Sequence, residues 1–185
     1  MAHQHGSHGH ESGQHHGSSA SSEHKARGPV TIGCGIITCS DTRTPETDKS
    51  GQLIQELLAK AGHRVDAYRV VKDEPADVQT LVQKWGTLQT VEAMIINGGT
   101  GISQRDSTFE AVDGLLEKRL VGFGEIFRYL SYKDIGSSAI LSRATAGLYK
   151  GKVIFSIPGS SGAVRLAMEA LILPELPHIV GELQK

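Results

Sequence analysis

The chain reads as an α/β domain, a three-layer sandwich with a largely parallel central sheet. Three observations predict it. Residues 30–39 (VTIGCGIITC) and 91–96 (VEAMII) are near-continuous apolar runs rather than alternating ones, the pattern of strands covered on both faces. Between such runs lie segments with apolar residues at helical spacing. Two runs, ending at Ile96 and Ile157, lead straight into glycine-rich turns, NGGTG at 97–101 and PGSSG at 158–162. Strand–helix or strand–loop units repeated in this way imply parallel pairing through right-handed crossovers.

The first strand, 30–39, is followed by the polar loop SDTRTPETDKS at 40–50. Ser50 is expected to cap the next helix, whose stripe is Leu53, Leu57, Leu58 and Ala61 and which Gly62 ends. Residues 65–71 form the second strand and run into KDEP, where Pro75 suits a first helical turn. Val78, Leu81, Val82 and Trp85 give that helix its inner face, with Trp85 read as a packing residue rather than a base-stacking platform. Residues 91–96 are the third strand. A short helix is predicted over 108–116 with Thr108 as its cap, and another over 122–129 with Ile126, Phe127 and Leu130 inward. The aromatic residues Phe123, Phe127 and Tyr129 of that second helix suit either a subunit interface or the core. The stretch 137–149 admits two readings, an extended hairpin arm or a helix start followed by a strand. Residues 152–157 are the last strand. Ala163, Val164, Ala167, Met168 and Leu171 mark a final amphipathic helix, and Pro174 and Pro177 stop it or kink the chain beyond it.

Composition sets the limits. Residues 1–28 are built almost wholly from His, Gly, Ser, Gln and Ala, without an aromatic or β-branched residue. Such a segment cannot bury enough apolar surface to offset its ordering entropy. The domain is therefore expected over 29–185, about 155 residues, enough for one real core. Seven of the nine histidines lie in the first segment, where a purification tag and a natural metal-scavenging arm would look alike. A net charge of −1 gives no general case for nucleic-acid binding. No stretch reaches the length of a membrane span, and the cytoplasm is the expected compartment. Cys34 and Cys39 fall on opposite faces of one strand, so they read as buried structural thiols rather than a disulfide or a metal pair.

In a parallel α/β sheet the turns at the carboxyl ends of the strands share one edge. The SDTR and VKDE loops belong there with the two glycine-rich turns, and four polar loops converging on one rim point to a binding site. The segment NGGTGISQRD at 97–106 is the richest of them. Its backbone suits phosphate or another anion, and Arg105 and Asp106 beyond it could hold a phosphorylated ligand and a metal together. A tight turn with a solvated charge pair would read the same way. Neither cysteine has a histidine partner that would make a nucleophilic dyad.

The pieces ITCSDTR, TDKSG, VKDE, NGGTG, RDST with Glu110, GFGE, LSRATAG and IPGSSGAV occur in this order over most of the chain, from about Thr31 to Pro177. As an ordered set they resemble the molybdopterin-binding family, its protein B group more than its dedicated molybdopterin adenylyltransferases. The resemblance implies a compact α/β fold that assembles as a trimer or hexamer. It implies transfer of AMP from Mg-ATP to the terminal phosphate of molybdopterin, with Mg²⁺ as cofactor and a pterin phosphate and a nucleotide as ligands. Other enzymes of molybdenum cofactor synthesis are implied partners. A non-catalytic molybdopterin binder or carrier of the same pathway is the alternative.

By resemblance, Asp73 and Asp106 are the two essential acids and the metal ligands, a role that suits the preference of Mg²⁺ for oxygen. Gly98, Gly99, Thr100 and Gly101 surround a nucleotide or pterin phosphate. Ser40 and Asp41 line the pocket, and Arg105 holds nucleotide phosphates. Glu125, Ser142 and Arg143 are further candidates, Arg143 either gripping a phosphate or bracing Glu125 or another subunit. Pro158, Gly159, Ser160 and Ser161 form the second ligand loop, and a helix cap at Ser160 or Ser161 is compatible with that role. Asp48 reads either as an acid that approaches the nucleotide or as a plain surface acid.

Overall fold

The computed structural model describes residues 29–185, and the histidine-rich segment and its expected boundary lie outside the described residues. Strands β1 (Gly33–Cys39), β2 (Arg64–Val71), β3 (Ala93–Asn97), β4 (Lys118–Arg119), β5 (Thr145–Tyr149) and β6 (Lys152–Ile157) form one sheet in the order β2-β1-β3-β6-β5-β4. The β1–β2, β1–β3 and β3–β6 pairs are parallel. β5 and β4 extend the sheet antiparallel from β6. The β5–β6 link is a two-residue turn with positive φ at Lys150 and Gly151, the hairpin geometry that matches strand twist.

The helices are α1 (Lys49–Lys60), α2 (Pro75–Trp85), α3 (Thr108–Asp113), α4 (Val121–Ile135), α5 (Ser161–Ala167) and α6 (Leu173–Leu183). Strand alternation divides the core. Ile36, Ile95 and Phe155 face α1, α4, α5 and α6 through Ile54, Phe127, Val164 and Leu176. Ile37, Ile96 and Ile154 face α2 and α3 through Val78, Val82 and Val112. The sandwich therefore has three layers, and Cys34 and Cys39 fall in different halves of the core. The smaller half closes tightly at Gly35, because a Cβ there would stand 2.7 Å from the Trp85 ring. Trp85 is 5 % exposed and packs as expected.

Several expectations need correction. Asp48, not Ser50, caps α1, accepting the Gly51 N–H at 3.0 Å. Ala61 is exposed and Ile54 takes the inward place, one helical step from Leu57 and Leu58. The cap position of α3 is Ser107, and Thr108 is the first helical residue. On α4 the buried stripe is Gly124, Phe127 and Ser131, so Ile126, about 100° away from Phe127 around the helix, points outward at 49 % exposure. The stretch 136–141 is a 3-10 turn that leads into β5, so both readings of that region hold in part. The final helix does not stop at the prolines. It passes through a π turn at Met168–Ile172 into α6, with Pro174 in the first turn of α6 and Pro177 inside it.

Candidate functional site

The parallel strands deliver their loops to one edge. The Ser40 N–H donates to the Val71 carbonyl at 2.8 Å, and the Gly98 N–H to the Ile157 carbonyl at 3.1 Å. Gly98 has φ +96°, and a Cβ there would stand 2.2 Å from the Cys39 carbonyl oxygen. Gly159 lies against Gly98 in turn, with 3.0 Å between its would-be Cβ and the Gly98 Cα. Three loop backbones thus touch where side chains would keep them apart.

A cavity of about 590 Å³ opens above this contact. Ser40, Gly98, Gly99, Thr100, Gly101, Asp106, Ser142, Pro158, Gly159 and Ser160 line it. Asp41, Asp73, Arg105, Glu125, Arg143 and Ser161 are not among its lining residues. Cys39, Arg43, Ser131, Asp134, Ile135, Leu141, Gly162 and Leu166 line it too. Of these, Arg43 had a visible signal, the cation of the SDTR loop. Ser131 and Asp134 had none, because only the path of α4 across the cavity brings them there.

The two expected acids flank the glycine turn. Asp73 is 7 % exposed and sits behind Gly99, whose Cβ would lie 2.2 Å from Asp73 Oδ2. Asp73 Oδ1 accepts from Thr108 Oγ1 at 2.9 Å, which makes Thr108 a brace for the acid rather than the cap. Asp106 closes its own loop. Its Oδ2 accepts from the Ser103 N–H at 3.1 Å and the Ser103 hydroxyl at 2.6 Å, closing the loop on itself, and a Cβ on Gly101 would lie 2.6 Å from that same oxygen. Asp106 Oδ1 and Asp73 Oδ2 have no donor among the described residues. Two hard oxygens on either side of one turn suit Mg²⁺, which takes one or two carboxylates and completes its shell with phosphate and water. No group of three His, Cys, Asp or Glu among the described residues could hold a metal alone, so ligand oxygens would have to supply the rest.

Arg105 and Arg143 are already engaged. Arg105 donates from Nε and Nη2 to Asp41 at 3.0–3.2 Å and from Nη1 to Glu74 at 2.7 Å. The Arg105 hydrogen bonds hold the Asp41 carboxyl below its usual range. Arg143 donates to the Thr100 carbonyl at 2.8 Å and the Gly101 carbonyl at 2.6 Å, and it pairs with Glu110, not Glu125. Its guanidinium lies 4.8 Å over the Phe109 ring. Arg143 therefore shapes the glycine turn from outside, and its hydrogen bonds lower the Glu110 pKa. Glu125 is exposed on α4. Ser160 caps α5 by accepting the Ala163 N–H at 3.3 Å. Asp48 neither lines the cavity nor lies on the surface, since it is fully buried and takes the Tyr68 hydroxyl at 2.7 Å. Burial pushes the Cys39 thiol up to about 12, so the one sulfur in the cavity wall stays protonated and inert at neutral pH.

The arrangement can hold an anionic ligand against glycine backbone, with Asp106 in the wall, Asp73 behind the turn, and an apolar side of Ile135, Leu141 and Leu166. The chain resembles known proteins over most of its length. A family described as a "Probable molybdopterin binding domain" matches residues 35–178. The chain is 57 % identical over 164 residues to the Molybdenum cofactor biosynthesis protein B of Bacillus cereus, covering 88 % of this chain and 97 % of that one. It is similar to a crystal structure of a Molybdenum cofactor biosynthesis protein B, with TM-score 0.82 and 58 % identity over 83 % of this chain and 96 % of that one. It is also similar to the tungsten cofactor synthesizing protein MoaB from Pyrococcus furiosus, with TM-score 0.75 and 36 % identity over 85 % and 99 % of the two chains.

Proposed function

The chain belongs to the molybdopterin-binding family, and from that premise we propose that it acts in molybdenum cofactor biosynthesis by transferring AMP from Mg-ATP to the phosphate of molybdopterin. The observation that carries this reading is the cavity of about 590 Å³ over the 98–101 turn, with Asp106 in its wall and Asp73 behind it. In the reaction an oxygen of the pterin phosphate attacks the α-phosphorus of ATP, a P–O bond forms, and pyrophosphate leaves. The nucleophile comes with the substrate, so the protein needs no covalent intermediate. Its work is alignment and charge stabilisation. The 98–101 backbone lets phosphate oxygens approach closely. Thr100, Ser142 and Ser160 add hydroxyls. Ile135, Leu141 and Leu166 give one side an apolar face. Bound Mg²⁺, held by Asp106 and Asp73, would neutralise the charge that gathers on the phosphates.

The test is AMP transfer to purified molybdopterin by the intact protein and by Asp106→Asn. The variant is expected to lose about 100-fold or more in rate while its folding is kept. Transfer at the unchanged rate would remove Asp106 from the mechanism. One observation favours a second reading, a non-catalytic binder or carrier. Asp73 is nearly buried and braced by Thr108, as a purely structural acid would be. That reading expects molybdopterin binding by the intact protein with no AMP transfer.

A homo-oligomer, trimer or hexamer, is part of the proposal. Ile126, Tyr129, Tyr132, Ile135, Ile140 and Leu141 are all at least 49 % exposed along α4 and the 3-10 turn, which supports a second copy of the chain covering them. Phe127 is fully buried and Phe123 packs on the core, so of the three aromatics expected there Tyr129 serves that surface, together with Tyr132. The cytoplasm is the proposed compartment. Two free thiols support it, and no helix among the described residues is long and apolar enough to cross a membrane.

A further inference from the structure

Three arginines surround the cavity, and their donors are used differently. Arg105 gives all three nitrogens to Asp41 and Glu74. Arg143 gives all three to the Thr100 and Gly101 carbonyls and to Glu110. Arg43 is the one cation in the cavity wall among the described residues. Its side-chain contacts all run through a single nitrogen, Nη1, which reaches Ser50 Oγ at 3.1 Å, the Gly159 carbonyl at 3.5 Å and Asp48 Oδ1 at 3.5 Å. Nε and Nη2 have no partner among the described residues. These two form the side-on fork of a guanidinium, the edge that grips a planar or tetrahedral oxyanion in bidentate fashion.

What holds the other edge is rigid. Asp48 is fully buried, with one carboxylate oxygen on the Gly51 N–H and the other on the Tyr68 hydroxyl. Ser50, also fully buried, donates to the Gly159 carbonyl at 2.7 Å and so ties α1 to the second glycine loop. The Arg43 main chain is pinned as well, its N–H donating to Ser40 Oγ at 3.2 Å. A half-exposed cation anchored by one nitrogen to buried groups, with its fork free, has the build of an anion receptor. The other charged side chains of the wall, Asp106 and Asp134, are acidic and would repel a dianion.

We propose that Arg43 receives the phosphate group of the cavity's ligand through Nε and Nη2, with Asp48 and Ser50 aiming it. The inference rests on the reading of the cavity as the molybdopterin and nucleotide site, and it fixes the end of the cavity where a phosphate sits. It is tested by equilibrium titration of the full chain with molybdopterin, phosphatase-treated molybdopterin, Mg-ATP and pyrophosphate, for the wild type, Arg43→Ala and Arg43→Lys. The wild type is expected to prefer molybdopterin over its dephosphorylated form by about tenfold or more. Arg43→Ala is expected to lose that preference while its affinity for the dephosphorylated form is kept. Arg43→Lys retains a counter-charge for Asp48 and carries the test if the alanine variant does not fold. It lacks the fork and is expected to keep only part of the preference. If only Mg-ATP affinity falls, Arg43 serves the nucleotide phosphate instead, and the receptor role stands. Should the variants bind every phosphate compound as the wild type does, the proposal is overturned. Pyrophosphate separates the two levels of failure. Arg43-dependent pyrophosphate binding without binding of molybdopterin or ATP would retain the anion receptor and reject the proposed function. An absence of binding of any phosphate probe by the wild type would reject both.

Discussion

At the scale of single residues, burial decides which groups keep their ordinary chemistry. Burial pushes both thiols, Cys34 and Cys39, up from 9.0 to about 12. The folded protein holds these protons more tightly than the unfolded chain does. Their contribution to stability is therefore complete below pH 9 and is lost as pH rises toward 12. Tyr68 moves the same way, chiefly through burial and then its bond to Asp48. Urea unfolding between pH 8 and pH 11, about the range where these groups separate, should show stability falling with pH, and a Cys34→Ala, Cys39→Ala double variant should flatten that slope. Asp48 is the other residue that burial redefines. Asp48→Ala removes the α1 cap, worth about 1 kcal/mol, and leaves Tyr68 without its acceptor and Arg43 without its counter-charge. Urea unfolding is expected to show a loss of about 2–3 kcal/mol in all. A change below about 0.5 kcal/mol would mean that solvent replaces Asp48 in full. Nothing local marks Asp48 as buried. Its loop composition is that of a surface turn, and only the approach of Tyr68 from β2 encloses it.

At the scale of elements, strands were easier to read than helix ends. Apolar runs with no polar alternation marked β1, β3 and β6, because a strand covered on both faces has no solvent side to show. Helix boundaries depended on single side chains, and the competition between Asp48 and Ser50 or between Ser107 and Thr108 was settled by tertiary partners, Gly159 for Ser50 and Asp73 for Thr108. Strand β4 had no sequence signal, being two exposed residues paired to β5. The glycine turns were legible as turns, and the reason for each glycine was not. Gly98 carries φ +96° and lies against the Cys39 carbonyl. Gly98→Ala is expected to cost about 1–3 kcal/mol from backbone strain alone and to abolish ligand binding, since the 98–101 turn must move off β1. Urea unfolding and molybdopterin titration of that variant check both parts. Unchanged binding would show that the turn tolerates the shift and does not shape the cavity.

At the scale of the whole molecule, the convergence of four loops on one edge followed from parallel topology, and it could be read before any distance was known. The assignment of side chains to the cavity could not. Arg105 and Arg143 look like phosphate ligands in sequence, yet each meets carboxylates or carbonyls that only the fold brings near. The apolar residues of α4 and the 3-10 turn were likewise hidden, because Ile126 and Ile140 have the composition of core positions. Sedimentation velocity is expected to give a trimer or hexamer, and Ile140→Asp, at a position 83 % exposed in the single chain, is expected to shift it toward monomer without loss of folding. A wild-type monomer at micromolar concentration would remove the oligomer from the account. The central claim is that the cavity over the glycine turn is the molybdopterin site. Amide hydrogen exchange of the intact protein with and without molybdopterin tests it most directly. Slowed exchange is expected at residues 40–43, 98–101 and 159–163 together. Binding that leaves those amides unchanged, or protects only a surface elsewhere, would contradict it.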